Sequence, residues 1–131
     1  MSHDGDLASP PPLVSIVDDD VSVRRSAVRL LVSSGLRAEA FASAVEFLQS
    51  GRAAETGCLL LDLRMPGMDG FELQSRLTAA GVLIPIIFLS AWASEEEERR
   101  ALRAGATVLL RKPASREALL GAIRTALRSG S

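Results

Sequence analysis

The stretch CLLLD, residues 58–62, followed directly by LRMPGMDG, residues 63–70, decides the fold. An apolar run of this length is typical of a strand that is covered on both faces of a parallel sheet. A segment with helical spacing begins a few residues later, over 69–80, with Phe71 and Leu77 among its apolar residues. The stretch therefore predicts a buried strand that ends at an aspartate and leads through a short loop into a helix.

The same alternation of strand and helix extends outward in both directions from this stretch. Four further runs of strand length are LVSIV (13–17), LRAEA (36–40), IPIIFL (84–89) and ATVLL (106–110). Helical spacing recurs over 20–34, over 43–50, from Ser94 to Gly105, and from Ser115 onward. Strands that alternate with helices favour a parallel sheet with helices on both faces. We predict an α/β fold, (βα)5, a doubly wound five-stranded parallel sheet, and among the right-handed arrangements we choose the flavodoxin-like strand order 2-1-3-4-5. The second run alternates in polarity, which fits an edge strand.

Length and composition restrict the class of protein. The 131 residues suit one domain over 13–131, preceded by a flexible arm over 1–12 that is polar and ends in three prolines. A formal net charge of −1 gives no general attraction to nucleic acid, so we expect no direct nucleic-acid binding. No apolar run reaches the roughly 18 residues of a membrane span, and the N-terminus lacks a signal-peptide pattern. Cys58, the single cysteine, cannot form an internal disulfide. These features favour the cytoplasm.

Polar residues follow four of the five apolar runs, where packing does not require them. They are Asp18-Asp19-Asp20, Asp62, Ser90 and Lys112-Pro113. Because ligands bind at the carboxyl ends of parallel strands, we expect these groups to meet in one crevice. Clustered carboxylates repel and need a cation, and their oxygens suit Mg²⁺. A lysine, a hydroxyl and a carboxylate nucleophile beside that cation make a plausible phosphoryl-transfer site.

Each of these residues also has a simpler structural interpretation. One of the three consecutive aspartates can cap the following helix, Asp62 can start a turn, and Lys112 can be a solvated charge. Cys58 is most simply a small buried hydrophobe. The run Glu95–Glu98 fits a solvated helix face. The case for a phosphoryl-transfer site therefore depends on the joint placement of the groups, and no single residue carries it.

At this point the sequence resembles the receiver domains of two-component response regulators, over about residues 13–128. The resemblance is carried by IVDDD (16–20), LLLDLRMPGMDG (59–70), FLSA (88–91) and TVLLRKP (107–113). The wording of the second motif looks most like the FixJ-type branch. The resemblance implies that a histidine kinase phosphorylates Asp62, and that the chain catalyses its own phosphoryl transfer and dephosphorylation but is otherwise not an enzyme.

The resemblance also implies the roles of the surrounding residues. Asp19 and Asp62 are expected to bind Mg²⁺ directly, with Asp18 helping through water and the backbone carbonyl of Arg64 as a further ligand.

The phosphoryl group itself is expected to meet a second set of residues. Ser90 is the hydroxyl that moves to hold it, Ala91 leaves it room, and Lys112 pairs with its oxygens. The Lys112–Pro113 peptide bond is expected to be cis. Phosphorylation would then change the face formed by the fourth helix, the fifth strand and the fifth helix, through which a homodimer is also expected.

Two departures from the family pattern leave alternatives open. Leu109 stands where the fifth strand usually carries an aromatic switch residue, so the chain could instead be an interaction module that does not depend on phosphorylation. Trp92 lies either on the moving surface or in a partly buried packing position. A phosphatase with an aspartate nucleophile is disfavoured, because Arg64 stands where that chemistry needs a second aspartate. The sequence leaves open whether the output is a contact of this domain or a DNA-binding domain of a longer protein.

Overall fold

The strands of the computed structural model, which describes residues 11–129, lie in one parallel sheet. The sheet order is β2-β1-β3-β4-β5, as predicted. The strands are β1 (Leu13–Val17), β2 (Arg37–Phe41), β3 (Thr56–Asp62), β4 (Ile86–Ser90) and β5 (Val108–Arg111). The helices are α1 (Val21–Ser33), α2 (Ala44–Ser50), α3 (Gly70–Ala79), α4 (Glu95–Arg103) and α5 (Arg116–Ser129), and a short 3₁₀ helix spans Arg52–Glu55.

The predicted strand boundaries are wrong by one to two residues at several ends. Strand β4 begins at Ile86 and not at residue 84, and extends to Ser90. Strand β3 begins two residues earlier than predicted, at Thr56, whose hydroxyl lies 2.8 Å from that of Ser15 on β1. Strand β5 begins two residues later, at Val108. The predicted arm falls mostly on residues outside those that the structure describes.

The core divides into two layers because successive side chains of a strand point to opposite faces. Leu59 and Leu61 of β3 pack with the apolar residues under α2, α3 and α4. Leu60 packs on the other face with Leu31 of α1 and Ile123 of α5. This is why the third run is apolar throughout. Among the described residues, no helix has both the length and the apolar character to cross a membrane.

The loop from β3 to α3 lies tightly against the sheet. Asp69 caps α3 in a reciprocal capping box with Glu72. A Cβ atom added at Gly70 would lie 2.6 Å from the backbone oxygen of Asp62 and 2.9 Å from the ring of Phe88. Only glycine allows this approach, so the end of β3 is held in a defined place relative to the start of α3.

Candidate functional site: an acidic pocket at the carboxyl ends of the strands

Three carboxylates meet where β1 and β3 end. Because these strands are parallel neighbours, Asp18 after β1 and Asp62 at the end of β3 arrive side by side. One oxygen from each of Asp18, Asp19 and Asp62 lies within 4.8 Å of the others. Asp18 and Asp62 are buried, at 2% and 7% exposure, while Asp19 is exposed. The structure thus brings together the acidic residues that the sequence placed in one crevice.

The third residue of the acidic run, Asp20, has a structural role. Its carboxylate accepts hydrogen bonds from the backbone N–H groups of Ser22 and Val23 and caps α1. Its own N–H donates to Oδ1 of Asp18 at 2.9 Å. The prediction that one of the three aspartates is a helix cap is confirmed.

Lys112 reaches this pocket from β5, the edge strand two positions from β3 in the sheet. It follows β5, and its Nζ lies 2.9 Å from Oδ2 of Asp18 and 3.7 Å from Oδ1 of Asp62. Burial lowers the lysine's pKa, but the hydrogen bond to Asp18 and the charge of Asp62 outweigh it, so the pKa is raised overall. Lys112 is therefore a fixed positive charge at the acidic pocket, and its peptide bond to Pro113 is cis, as predicted.

The electrostatics of Asp62 show that the single lysine does not balance the carboxylates. Burial, and next the neighbouring charge of Asp18, raise the pKa of Asp62 to about 6, although Lys112 and the backbone N–H of Arg64 act against the rise. The pocket consequently favours an additional positive charge.

Ser90 and its successors form the wall of the pocket on the β4 side. Ser90 ends β4, one residue beyond the Asp62–Leu89 register pair, and is buried. Its Oγ accepts a 3.3 Å hydrogen bond from the backbone N–H of Trp92. The Trp92 side chain is 82% exposed, so the expectation of a partly buried packing residue is wrong. Ala91 is exposed.

An apolar groove, which the sequence analysis missed, opens beside this wall. It lies between α1 and α5, and Leu30, Ala91, Lys112, Pro113 and Leu119 are among its lining residues. The signal for it was weak, because α1 and α5 each carry apolar residues that serve the core equally well.

Two ion pairs that the sequence analysis also missed lie next to the pocket. The Arg64 guanidinium lies 2.5 Å from the Glu97 carboxylate on α4, and Arg111 of β5 lies 3.2 Å from Glu98. The interpretation of the glutamate run as a solvated face holds: Glu95 and Glu96 are exposed, and Glu97 and Glu98 stay partly exposed while they form these ion pairs. Ser94 followed three residues later by Glu97 is a capping-box pattern, so the sequence does contain a signal that Glu97 has a structural role.

The fold and pocket together define a class of protein: a doubly wound parallel sheet with a partly buried acidic cluster, a lysine and a hydroxyl at its carboxyl edge. Residues 14–124 match the family model of the response regulator receiver domain. The chain belongs to this family.

Named relatives agree with this assignment. The chain is 44% identical over 116 residues to the response regulator protein TmoT of Ectopseudomonas mendocina, covering 88% of this chain and 53% of TmoT. The solved structure of the response regulator StyR superposes with a TM-score of 0.86 at 45% identity, covering 92% of this chain and 61% of that one. FixJ-N superposes with a TM-score of 0.82 at 32% identity, covering 92% and 96%. The chain thus spans about half of the length of TmoT.

Proposed function

We propose that this domain is a phosphorylation-driven switch in which Asp62 accepts a phosphoryl group from a histidine kinase. The observation that supports this best is the environment of the Asp62 carboxylate. It is buried at the end of β3, within 4.8 Å of two further carboxylates and 3.7 Å from the Lys112 ammonium. A carboxylate in such a pocket is placed to attack phosphorus, and charge neutralisation is what that reaction mainly requires.

The transfer proceeds with one bond formed and one broken. An oxygen of Asp62 forms a bond to phosphorus while the bond from phosphorus to the donor's histidine nitrogen breaks. Lys112, now bound to Asp18, is within reach of the incoming phosphoryl oxygens, with which it pairs. The Ser90 hydroxyl accepts a hydrogen bond from the Trp92 N–H and has its own proton to donate to the phosphoryl group. Ala91 leaves space beside it.

The donor set of the pocket fits Mg²⁺. Three carboxylates face one lysine, and hard oxygen ligands of this kind are those that Mg²⁺ takes. Asp19 and Asp62 are the direct ligands in this proposal, with the backbone carbonyl of Arg64. Asp18 acts through water in this proposal. This agrees with the hydrogen bonds that its two carboxylate oxygens already accept, one from the Asp20 N–H and one from Lys112. When bound, the cation neutralises charge on the phosphoryl oxygens.

The groove between α1 and α5 suits the kinase as a docking surface. It borders Ala91 and Lys112, so a protein bound there reaches the acidic pocket directly, and its apolar lining gives the partner surface to bury. The output surface is the face of α4, β5 and α5, through which a homodimer forms. The domain extends over 13–131, and the protein works in the cytoplasm.

The test is the intact mass of the protein after incubation with Mg²⁺ and acetyl phosphate, beside an Asp62→Asn control. One phosphoryl adduct that requires Mg²⁺ and is absent from the control is expected. The fluorescence of the exposed Trp92, followed in the same samples, is expected to change with the adduct. If no adduct forms and beryllofluoride changes nothing either, the domain is an interaction module that does not depend on phosphorylation.

A further inference from the structure

Helix α4 is attached to the rest of the domain by few apolar contacts. Among its nine residues, all within the part that the structure describes, Ala101 alone is buried. Seven of the nine residues in the sequence EEEERRALR are charged. Helices in proteins owe most of their stability to a packed apolar face, so α4 belongs to the weakly held part of this fold.

Mainly polar contacts attach the start of α4 to the rest of the domain. Glu97 pairs with Arg64 of the β3–α3 loop, and Glu98 pairs with Arg111 of β5. The Arg111 guanidinium also donates to the backbone oxygen of Ala93 at 3.2 Å. The contacts of the later part of the helix are different: Arg100 stacks over Phe71, 3.9 Å from the ring centre, and Gln74 donates to the backbone oxygen of Ala101 at 3.2 Å.

Arg64 is the residue that connects this helix with the acidic pocket. It lies two positions after Asp62, and its backbone N–H donates to Oδ1 of Asp62 at 3.4 Å. Its side chain is 58% exposed and crosses to Glu97. One residue therefore contacts both the proposed phosphoacceptor and the first turn of α4.

We propose that the Arg64–Glu97 ion pair is a latch that phosphorylation of Asp62 opens. This inference rests on the proposed function. A phosphoryl group brings a charge of about −1.5 to −2 and three acceptor oxygens, and a guanidinium binds such a group in bidentate fashion. In the latch, the guanidinium of Arg64 leaves the single carboxylate of Glu97 for the phosphoryl group, and the first turn of α4 loosens.

The surroundings of Glu97 allow the latch to open without dissolving the helix. Its carboxylate also accepts a 3.0 Å hydrogen bond from the Ser94 N–H, and the Ser94 hydroxyl accepts one from the Glu97 N–H. This capping box remains when Arg64 departs. Arg111 and Glu98 also remain, because they belong to β5 and α4 and make no contact with Asp62 in the structure of the described residues. The Arg111–Glu98 ion pair therefore keeps α4 attached to β5 while the first turn loosens.

The latch also supplies a route that does not depend on Leu109. Leu109 is buried at 4% exposure and has no polar group that could exchange one partner for another. Arg64, in the loop after β3, offers such an exchange, because its guanidinium can pair either with Glu97 or with the phosphoryl group on Asp62.

The experiment is hydrogen–deuterium exchange of the intact chain, read on peptides that cover 91–104, with and without Mg²⁺ and beryllofluoride. In the wild type, the amides at the start of α4 should exchange about two- to fivefold faster after beryllofluoride is added, as expected for loss of one exposed ion pair. Glu97→Gln keeps the capping box, since glutamine serves at that position, but removes the charge. It should show the faster exchange from the outset and little further change.

Glu98→Gln is the matched control, because it removes the neighbouring ion pair of the same helix and leaves Arg64 in place. It should retain the response to beryllofluoride. The double variant Arg64→Ala/Glu97→Gln should exchange no faster than either single variant. The latch is refuted if Glu97→Gln responds to beryllofluoride as the wild type does.

Acetyl phosphate labelling of the same proteins separates this failure from that of the proposed function. An adduct on the wild type without any change in α4 exchange overturns the latch and leaves the phosphoacceptor in place. The absence of an adduct overturns both.

Discussion

Replacing Asp62 by asparagine should stabilise the metal-free protein at pH 8 and have almost no effect near pH 4. The pKa of this carboxyl is raised to about 6, first by burial and next by the charge of Asp18, against about 3.9 in an unfolded chain. The folded state therefore holds this proton more tightly than the unfolded state does. The resulting stability is fully present below pH 3.9 and is lost as the pH rises through 6.

The magnitude follows from the difference between the two pKa values. A shift of about two units corresponds to about 2–3 kcal/mol at pH 8, by which the ionised carboxylate weakens the fold. Asparagine has nearly the same shape and no charge, so Asp62→Asn should recover most of this lost free energy of unfolding. Near pH 4 the gain should fall to about 0.5 kcal/mol or less, because the wild-type carboxyl is then neutral in the folded state.

Urea unfolding in EDTA at pH 4, 6 and 8 measures this, with the midpoint shifting and the slope unchanged. Asp19→Asn is the matched control: it removes an exposed carboxylate of the same cluster and should stabilise much less. A gain for Asp62→Asn that is equal at pH 4 and pH 8, or a loss of stability at pH 8, would show that charge in the pocket is not its cause.

Two other perturbations, Lys112→Met and Gly70→Ala, test the surroundings of the pocket, with Gly121→Ala as a control. Lys112→Met should destabilise the protein by about 2 kcal/mol at pH 7, because it leaves the buried carboxylate of Asp18 without its cation, and urea unfolding would show this. Gly70→Ala should cost about 1–3 kcal/mol, since the new methyl group would lie 2.9 Å from the ring of Phe88. Gly121→Ala, in the middle of α5 with nothing near the added atom, should instead stabilise by about 0.5–1 kcal/mol in the same assay. Equal effects of the two glycine substitutions would contradict this account.

The sheet could be predicted from the sequence because its inner strands are buried on both faces. Leu59, Leu60 and Leu61 are all buried although they point to alternate sides, so the run has no polar member until Asp62. The edge strand β5 is less clear, because half-buried Val108 and Leu110 flank its one buried residue and Arg111 at its end is exposed. Its first two predicted residues belong to the preceding connection.

The meeting of the acidic residues could be predicted for a topological reason. Parallel strands deliver their last residues to one edge, so a pattern of polar residues after apolar runs becomes a cluster without any knowledge of side-chain positions. Distances within the cluster could not be predicted. That Lys112 lies closer to Asp18 than to Asp62 depends on strand order and rotamers, and that Trp92 is exposed depends on the path of one loop.

The parts of the pocket differ in how firmly the fold holds them, and this difference fits the proposed function. Asp18 follows β1 and Asp62 ends β3, and both side chains are buried at the ends of strands that have a neighbouring strand on each side. This position suits the proposed binding of a cation and a phosphoryl group. Ser90, on the next strand, is tied at its hydroxyl by one long hydrogen bond from Trp92. Helix α4, farther out, has a single buried residue. The attachment to the core thus weakens from the strand ends toward α4. We therefore expect phosphorylation of Asp62 to move α4 more than it moves the strand ends.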